Sequence, residues 1–292
     1  MTTFTGLYVP MVTPFDAAGA VALDALAALA REVLDGGAAG LVALGTTGEP
    51  AALSPAERAA VLDVLGGACH ERGAGLLAGA NDRDALRSLA GRPAVTGALT
   101  LVPPFLRPGE DGVVAHLAAL AAASPVPMLV YHVPHRTGQP LSAAALRRLA
   151  ALPAVAGVKY AAGGIDAATV DLMADLPPGF AVLGGDDTFV APLLALGAHG
   201  AILASAHVAT AEYAGLVAAW RAGDVHRARP LGHRLARLSS ALFAEPNPTV
   251  IKGLLYAQGR IPTPAVRLPL LPASRPSVAA AEAALAELLP VG

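Results

Sequence analysis

Lysine is nearly absent from this chain of 292 residues: of 20 basic residues only Lys159 and Lys252 are lysines, and the other 18 are arginines. Arginine is the default positive charge, so each lysine invites a reason. Charge of either sign is scarce, at 14% of residues with a formal net charge of -2. That excludes the basic stripe of a nucleic-acid binder and the polybasic patch of a membrane-surface protein, and points to small-molecule partners. Cysteine occurs once, at Cys69, so an internal disulfide is impossible. Long apolar runs are missing as well. Although 54% of residues are hydrophobic, the stretches are broken by Gly, Pro, Ser or charge short of the roughly 20 residues a spanning helix needs. The opening "MTTFTGLYVP" lacks the basic and long apolar regions of a signal peptide. The cytoplasm is the expected compartment.

What the chain does have is alternation. Short apolar runs recur eight times, at "GLYVPMVTPF" (from residue 6), "GLVALGTTGE" (40), "GAGLLAGA" (73), "GALTLVPPF" (97), "VPMLVYHVP" (126), "VAGVKYAAG" (155), "FAVLGGDD" (180) and "GAILASAHV" (200). Near-continuous apolar character is that of parallel strands covered on both faces. Helical stretches lie between them, clearest in "LSPAERAAVLDVL", where Ser54 can cap, Pro55 suits the first helical position and Glu57 completes a capping box. Strand and helix alternating eight times predict an α/β fold, a (β/α)8 TIM barrel with a C-terminal helical extension. Residues 1–208 are expected to carry the strands and most helices, and residues 209–292 the last barrel helix and a helical segment packed on the barrel. A doubly wound open sheet is disfavoured, because no G-x-G-x-x-G follows the first strand. Between strands three and four, "NDRDALRSLAGRPAVT" leaves room for only a short helix, and the wall should be thin there.

In such a barrel, residues at the carboxyl ends of the strands face one site. Lys159 lies late in strand six, walled by Val and Ala. Burial disfavours its charged form, and a neutral amine attacks a carbonyl to form a Schiff base, an electron sink for carbanion chemistry, which arginine cannot do. A buried ion pair or a snorkelling edge lysine is the plain alternative, and the strand alone leaves both open. Tyr131, late in strand five, could shuttle protons. Thr46 and Thr47, at the end of strand two in "GTTGE", supply hydroxyls and turning amides suited to a carboxylate. Thr46 and Glu49 also have capping-box spacing, so cap and anion site both stand. Arg136, in "YHVPHRTG", could bind a second carboxylate bidentately or simply be a solvated loop arginine. His132 and His135 lack a third ligand at helpful spacing, so no metal is expected. Asp186 and Asp187 look like caps of the helix after strand seven.

These residues together resemble the pyruvate-dependent class I aldolases typified by dihydrodipicolinate synthase and N-acetylneuraminate lyase. The motifs run in order from "VTPF" through "GTTGE", "YHVPHRT", "GVK", "GGDD" and "GAHGAILASAHV" to "NPTVIKGLLY". The resemblance implies that Lys159 forms the Schiff base, that Tyr131 relays protons, and that Thr46 and Thr47 hold the pyruvate carboxylate and extend the relay. It also implies that Gly185 and Ile202 line the pocket through backbone groups and that Arg136 binds the carboxylate of aspartate semialdehyde. No cofactor is implied, and a homotetramer or dimer is. One departure stands out: "PPFLRP" replaces "PYYNRP", so the tyrosine a neighbouring subunit lends to the relay falls on Phe105, which cannot carry a proton. His132 and Tyr160 also replace the usual residues at their positions. The expected function is condensation of pyruvate with an aldehyde, most like that synthase. An aldolase or dehydratase acting on a 2-keto-3-deoxy sugar acid is the alternative within the class, and a keto-acid-binding barrel without catalysis the alternative outside it.

Overall fold

The computed structural model describes residues 4–288; the ends of the two expected segments, 1–3 and 289–292, lie outside the described residues. Eight parallel strands, β1 (Gly6–Pro10), β2 (Gly40–Ala43), β3 (Gly75–Gly79), β4 (Val95–Leu101), β5 (Met128–His132), β6 (Val155–Tyr160), β7 (Ala181–Gly184) and β8 (Gly200–Ile202), close in sequence order into a barrel. The TIM-barrel expectation holds, and each predicted apolar run coincides with one of these strands, β4 beginning two residues ahead of its run. Around them run α1 (Leu23–Asp35), α2 (Pro55–Arg72), α3 (Arg83–Arg87), α4 (Gly109–Ala121), α5 (Pro134–Thr137), α6 (Ala143–Ala150), α7 (Ala167–Ala174) and α8 (Val190–Ala195). The helical extension follows as α9 (Thr210–Arg221), α10 (Val225–Leu242), α11 (Thr249–Ala257) and α12 (Arg275–Leu288), with α9 against β1 and α10 packed on α9 and α12. No helix of the described residues is long and apolar enough to cross a membrane.

Strand periodicity divides the core in two. One set of side chains, including Tyr8, Val42, Leu77, Leu129, Leu183 and Ile202, fills the barrel interior. The other set faces the helices, which answer with apolar stripes such as Leu26, Leu29, Ala30, Val33 and Leu34 on α1. The capping box expected for α2 is formed by Ser54 and Glu57, with Pro55 in the first turn. α3 is a helix of five residues, as the short segment between strands three and four predicts.

The seam between β1 and β8 is tight. A Cβ on Gly200 would lie 2.1 Å from the carbonyl oxygen of Gly6, its register partner, so β8 meets β1 at this closeness only with glycine at 200. Just beyond the seam, buried His207 accepts from Val12 N–H through Nε2 at 3.2 Å and contacts the Ala204 carbonyl through Nδ1 at 2.8 Å. Those two bonds require the neutral Nδ1–H tautomer. Burial pushes the imidazole down to about 4 from its ordinary 6.5, against the Ala204 carbonyl, which favours the charged ring. A depressed imidazole contributes stability in full above pH 6.5 and loses it as pH falls toward 4, worth about 3 kcal/mol. The urea midpoint should therefore fall between pH 6.5 and pH 4, and His207→Gln should be less stable at pH 7.5 but show a shallower acid slope in the same titration.

Candidate active site

β5, β6 and β7 are in register through Tyr131, Lys159 and Leu183, all pointing into the barrel near its carboxyl end. Lys159 is 5% exposed, and its Nζ stands 4.3 Å from the centroid of the Tyr131 ring. Among the described residues the ammonium makes no ion pair; the ring face is its partner, worth about 1–2 kcal/mol where solvent is thinned out. The ion-pair alternative for Lys159 therefore drops away. Glycine at 185 makes room for the lysine stem, since a Cβ there would sit 2.6 Å from Lys159 Cγ and 2.7 Å from Cε.

Above the amine is a cavity of about 130 Å³, lined among others by Thr46, Thr47, Tyr131, Arg136, Lys159 and Gly185. It suits a ligand of a few heavy atoms, far below the roughly 300 Å³ and more of drug-sized sites. The threonines do not end a strand as expected: β2 stops at Ala43, and Thr46–Gly48 form a 3-10 turn. Leu44 and Glu49 flank that turn at φ 54° and 53°. Left-handed backbone at residues with a Cβ is strain of the kind that collects at functional sites. The capping reading of "GTTGE" fails, because the turn has no side-chain cap and the Glu49 carboxylate is engaged elsewhere. Arg136 stands exposed on α5 at the cavity rim. Ile202 ends β8 with its side chain packed in the barrel interior, so any part it takes at the pocket is through its backbone, as the resemblance implies.

Asp186 and Asp187 are also corrected, since neither caps a helix with its side chain. Both line the cavity. Asp187 is buried and accepts from Ser205 N–H at 2.7 Å. Burial pushes its carboxyl up to about 6, although that hydrogen bond and the charge of Lys159 act the other way. His132 points outward from β5, tilted against Tyr160 at 5.5 Å, and burial pushes it down to about 4. His135 lines the cavity instead, so the two histidines serve different sides of the strand. Phe105, 87% exposed and at φ 70°, does not reach its own chain's cavity.

The sequence profile of the dihydrodipicolinate synthetase family matches residues 3–288. The chain belongs to this family. It is 38% identical over 282 residues to the 4-hydroxy-tetrahydrodipicolinate synthase of Moorella thermoacetica, covering 95% of this chain and 96% of that one. The Acinetobacter baumannii dihydrodipicolinate synthase solved with pyruvate superposes with a TM-score of 0.91 at 31% identity, over 99% of this chain and 100% of that one. A monomeric dihydrodipicolinate synthase variant also superposes at 0.91, with 28% identity over 99% and 98% of the two chains. The family expected from the motifs is the family found.

The other lysine is the residue that sequence reasoning left without a role. Lys252 on α11 is buried, donating to Glu49 Oε1 at 2.8 Å and the Thr13 carbonyl at 2.9 Å, with its Nζ 4.2 Å from the Phe15 ring centroid. Glu49 Oε2 accepts from Arg267 N–H at 2.8 Å, so both carboxylate oxygens are satisfied. Burial lowers the Lys252 ammonium, and Glu49 opposes that. The pair ties the threonine turn to the helical extension. Sequence offered no signal for it, since Lys252 and Glu49 are 203 residues apart.

Two outcomes follow from these contacts. Gly185→Ala should leave the fold intact by circular dichroism yet cut turnover about 100-fold, because displacing a reacting atom by about 1 Å costs that much. Lys252→Met should lower stability by about 3–5 kcal/mol in urea unfolding by stranding a buried carboxylate, and Glu49→Gln combined with it should restore part of the loss.

Proposed function

We propose that Lys159 is the nucleophile of this enzyme. The chain is a carbon–carbon lyase of the lysine Schiff-base class that condenses pyruvate with an aldehyde, most like 4-hydroxy-tetrahydrodipicolinate synthase. The observation that carries the assignment of Lys159 is a buried amine without a carboxylate partner, stacked on the Tyr131 ring beneath a cavity sized for a small keto acid. The neutral amine adds to the keto carbon, and the keto oxygen leaves as water once protonated, giving an iminium. Loss of a proton from the adjacent methyl then gives an enamine, which forms the new carbon–carbon bond at the aldehyde carbon. The Tyr131 phenol moves protons in both stages, with Thr46 extending its reach. Thr47 and the turn amides hold the pyruvate carboxylate, Gly185 keeps the lysine stem in place, and Arg136 takes a carboxylate on the aldehyde.

Phe105 favours one second reading, an aldolase or dehydratase acting on a 2-keto-3-deoxy sugar acid, because it replaces a relay hydroxyl with a ring edge. Rapid turnover of aspartate semialdehyde would remove that reading. Phe105 and Leu106, 87% and 81% exposed side by side, support a homo-oligomer in which they are covered. The single, buried Cys69, its thiol pushed up to about 11 by burial, is compatible with a cytoplasmic location.

Borohydride reduction with pyruvate should leave a lactyl-sized adduct on the peptide holding Lys159. Lys159→Ala and Lys159→Arg should give no adduct and turn over at less than about 10⁻³ of wild type, the scale of loss when a covalent nucleophile is removed. An adduct elsewhere, or none in folded protein that binds pyruvate, would overturn the assignment in favour of a binding barrel.

A further inference from the structure

The helical extension reaches the cavity at Phe243 and Asn247, and of these two Asn247 brings a polar side chain that the proposed chemistry leaves unused. Asn247, two positions before α11, lines the cavity and donates from Nδ2 to Thr47 Oγ1 at 3.0 Å, across 200 residues of sequence. The other end of the amide, Oδ1, is buried without a partner among the described residues. The one side-chain hydrogen bond of this amide among the described residues is therefore the one to Thr47.

That bond decides where the Thr47 proton points. A hydroxyl has one proton and two lone pairs. With Asn247 donating to it, the Thr47 oxygen acts as acceptor on the side of the extension, and its own proton is turned away from Asn247. Thr47 is itself buried at the cavity wall. The free direction is the cavity, where a proton donor meets an anionic ligand. An unoriented hydroxyl would share its proton between two or three rotamers and would bind a carboxylate more weakly.

The distance between the two segments is held independently. Five residues beyond Asn247, Lys252 is bonded to Glu49, two residues beyond Thr47. Lys252 also holds the Thr13 carbonyl at 2.9 Å, and Thr13 Oγ1 donates to the Gly48 carbonyl at 2.8 Å. The turn carrying the two threonines is thus gripped on both sides by groups shielded from water, and Asn247 meets Thr47 at a fixed separation.

We propose that Asn247 is a positioning residue: by donating to Thr47 it aims the Thr47 hydroxyl proton at the carboxylate of the bound keto acid, while the Lys252–Glu49 pair holds the turn at the right distance. This deepens the reading in which Lys159 forms a Schiff base with pyruvate, and rests on it. The side-chain hydrogen bond of Asn247 goes to Thr47 and not to the Lys159 amine, so its effect belongs to ligand affinity and not to the chemical step.

The test titrates pyruvate in the borohydride assay and reads the fraction of Lys159 trapped by intact mass. Asn247→Leu, which removes the donor without adding charge, should raise the half-saturating pyruvate concentration about tenfold while trapping stays complete at saturation. Thr47→Val should show a rise of similar size. The double variant should lie within about twofold of the weaker single variant, because the amide acts only through the hydroxyl. An unchanged midpoint in Asn247→Leu, or a double variant whose loss is the product of the two singles, would overturn the proposal. Should Asn247→Leu fail to fold, Asn247→Ala, which leaves space for water, is held to the same criteria. Failure of the wild type to trap pyruvate at any concentration would overturn the Schiff-base reading and this proposal with it. A trapping wild type beside an unaffected variant would overturn this proposal alone.

Discussion

Closure of the barrel is the constraint on which the rest of this structure depends. Eight parallel strands can form a ring only if the last pairs with the first, and here that pairing starts at Gly6 and Gly200, where a Cβ on Gly200 would run into the Gly6 backbone. Once the ring closes, every second side chain is forced inward and the strand ends share one small space. Lys159 and Tyr131 meet because they occupy the same level of adjacent strands. Neither loop length nor helix packing could place an amine over an aromatic ring with the same rigidity.

The two lysines show one physical cost met in two ways. Removing an ammonium from water is unfavourable by several kcal/mol unless something replaces the water. Lys252 recovers that cost with a carboxylate, a carbonyl and an aromatic face, and so serves as a clamp. Lys159 has an aromatic face and an open cavity, with no carboxylate at ion-pair distance among the described residues. The difference lies in the partners, not in the degree of burial, since both residues are shielded.

The helical extension is more than a cover. Through Asn247, Lys252 and Arg267 it takes hold of the turn at residues 46–49 and of the segment around Thr13. That turn carries left-handed backbone at Glu49, a conformation that persists only where its surroundings over-determine it. The extension supplies those surroundings. A site built at the mouth of the barrel is therefore stabilised from outside the barrel as well as from within.

Much of this was readable along the chain. Eight apolar runs, helical stretches between them and a lone lysine inside one run determined the barrel, the order of its strands and the level at which Lys159 and Tyr131 stand, because strand periodicity and barrel closure leave little freedom. The α2 capping box and the shortened α3 were equally local, and equally legible. What the sequence left open were contacts between residues far apart: whether Glu49 turns back on Thr46 or reaches Lys252, whether Asp187 caps a helix or lines a cavity, and what holds Thr47. Each depends on which distant group arrives at hydrogen-bond distance after the barrel has closed and the helical extension has packed. Only the tertiary structure decides that, since the competing local hydrogen bond and the long-range one are worth similar amounts until burial removes water from one of them.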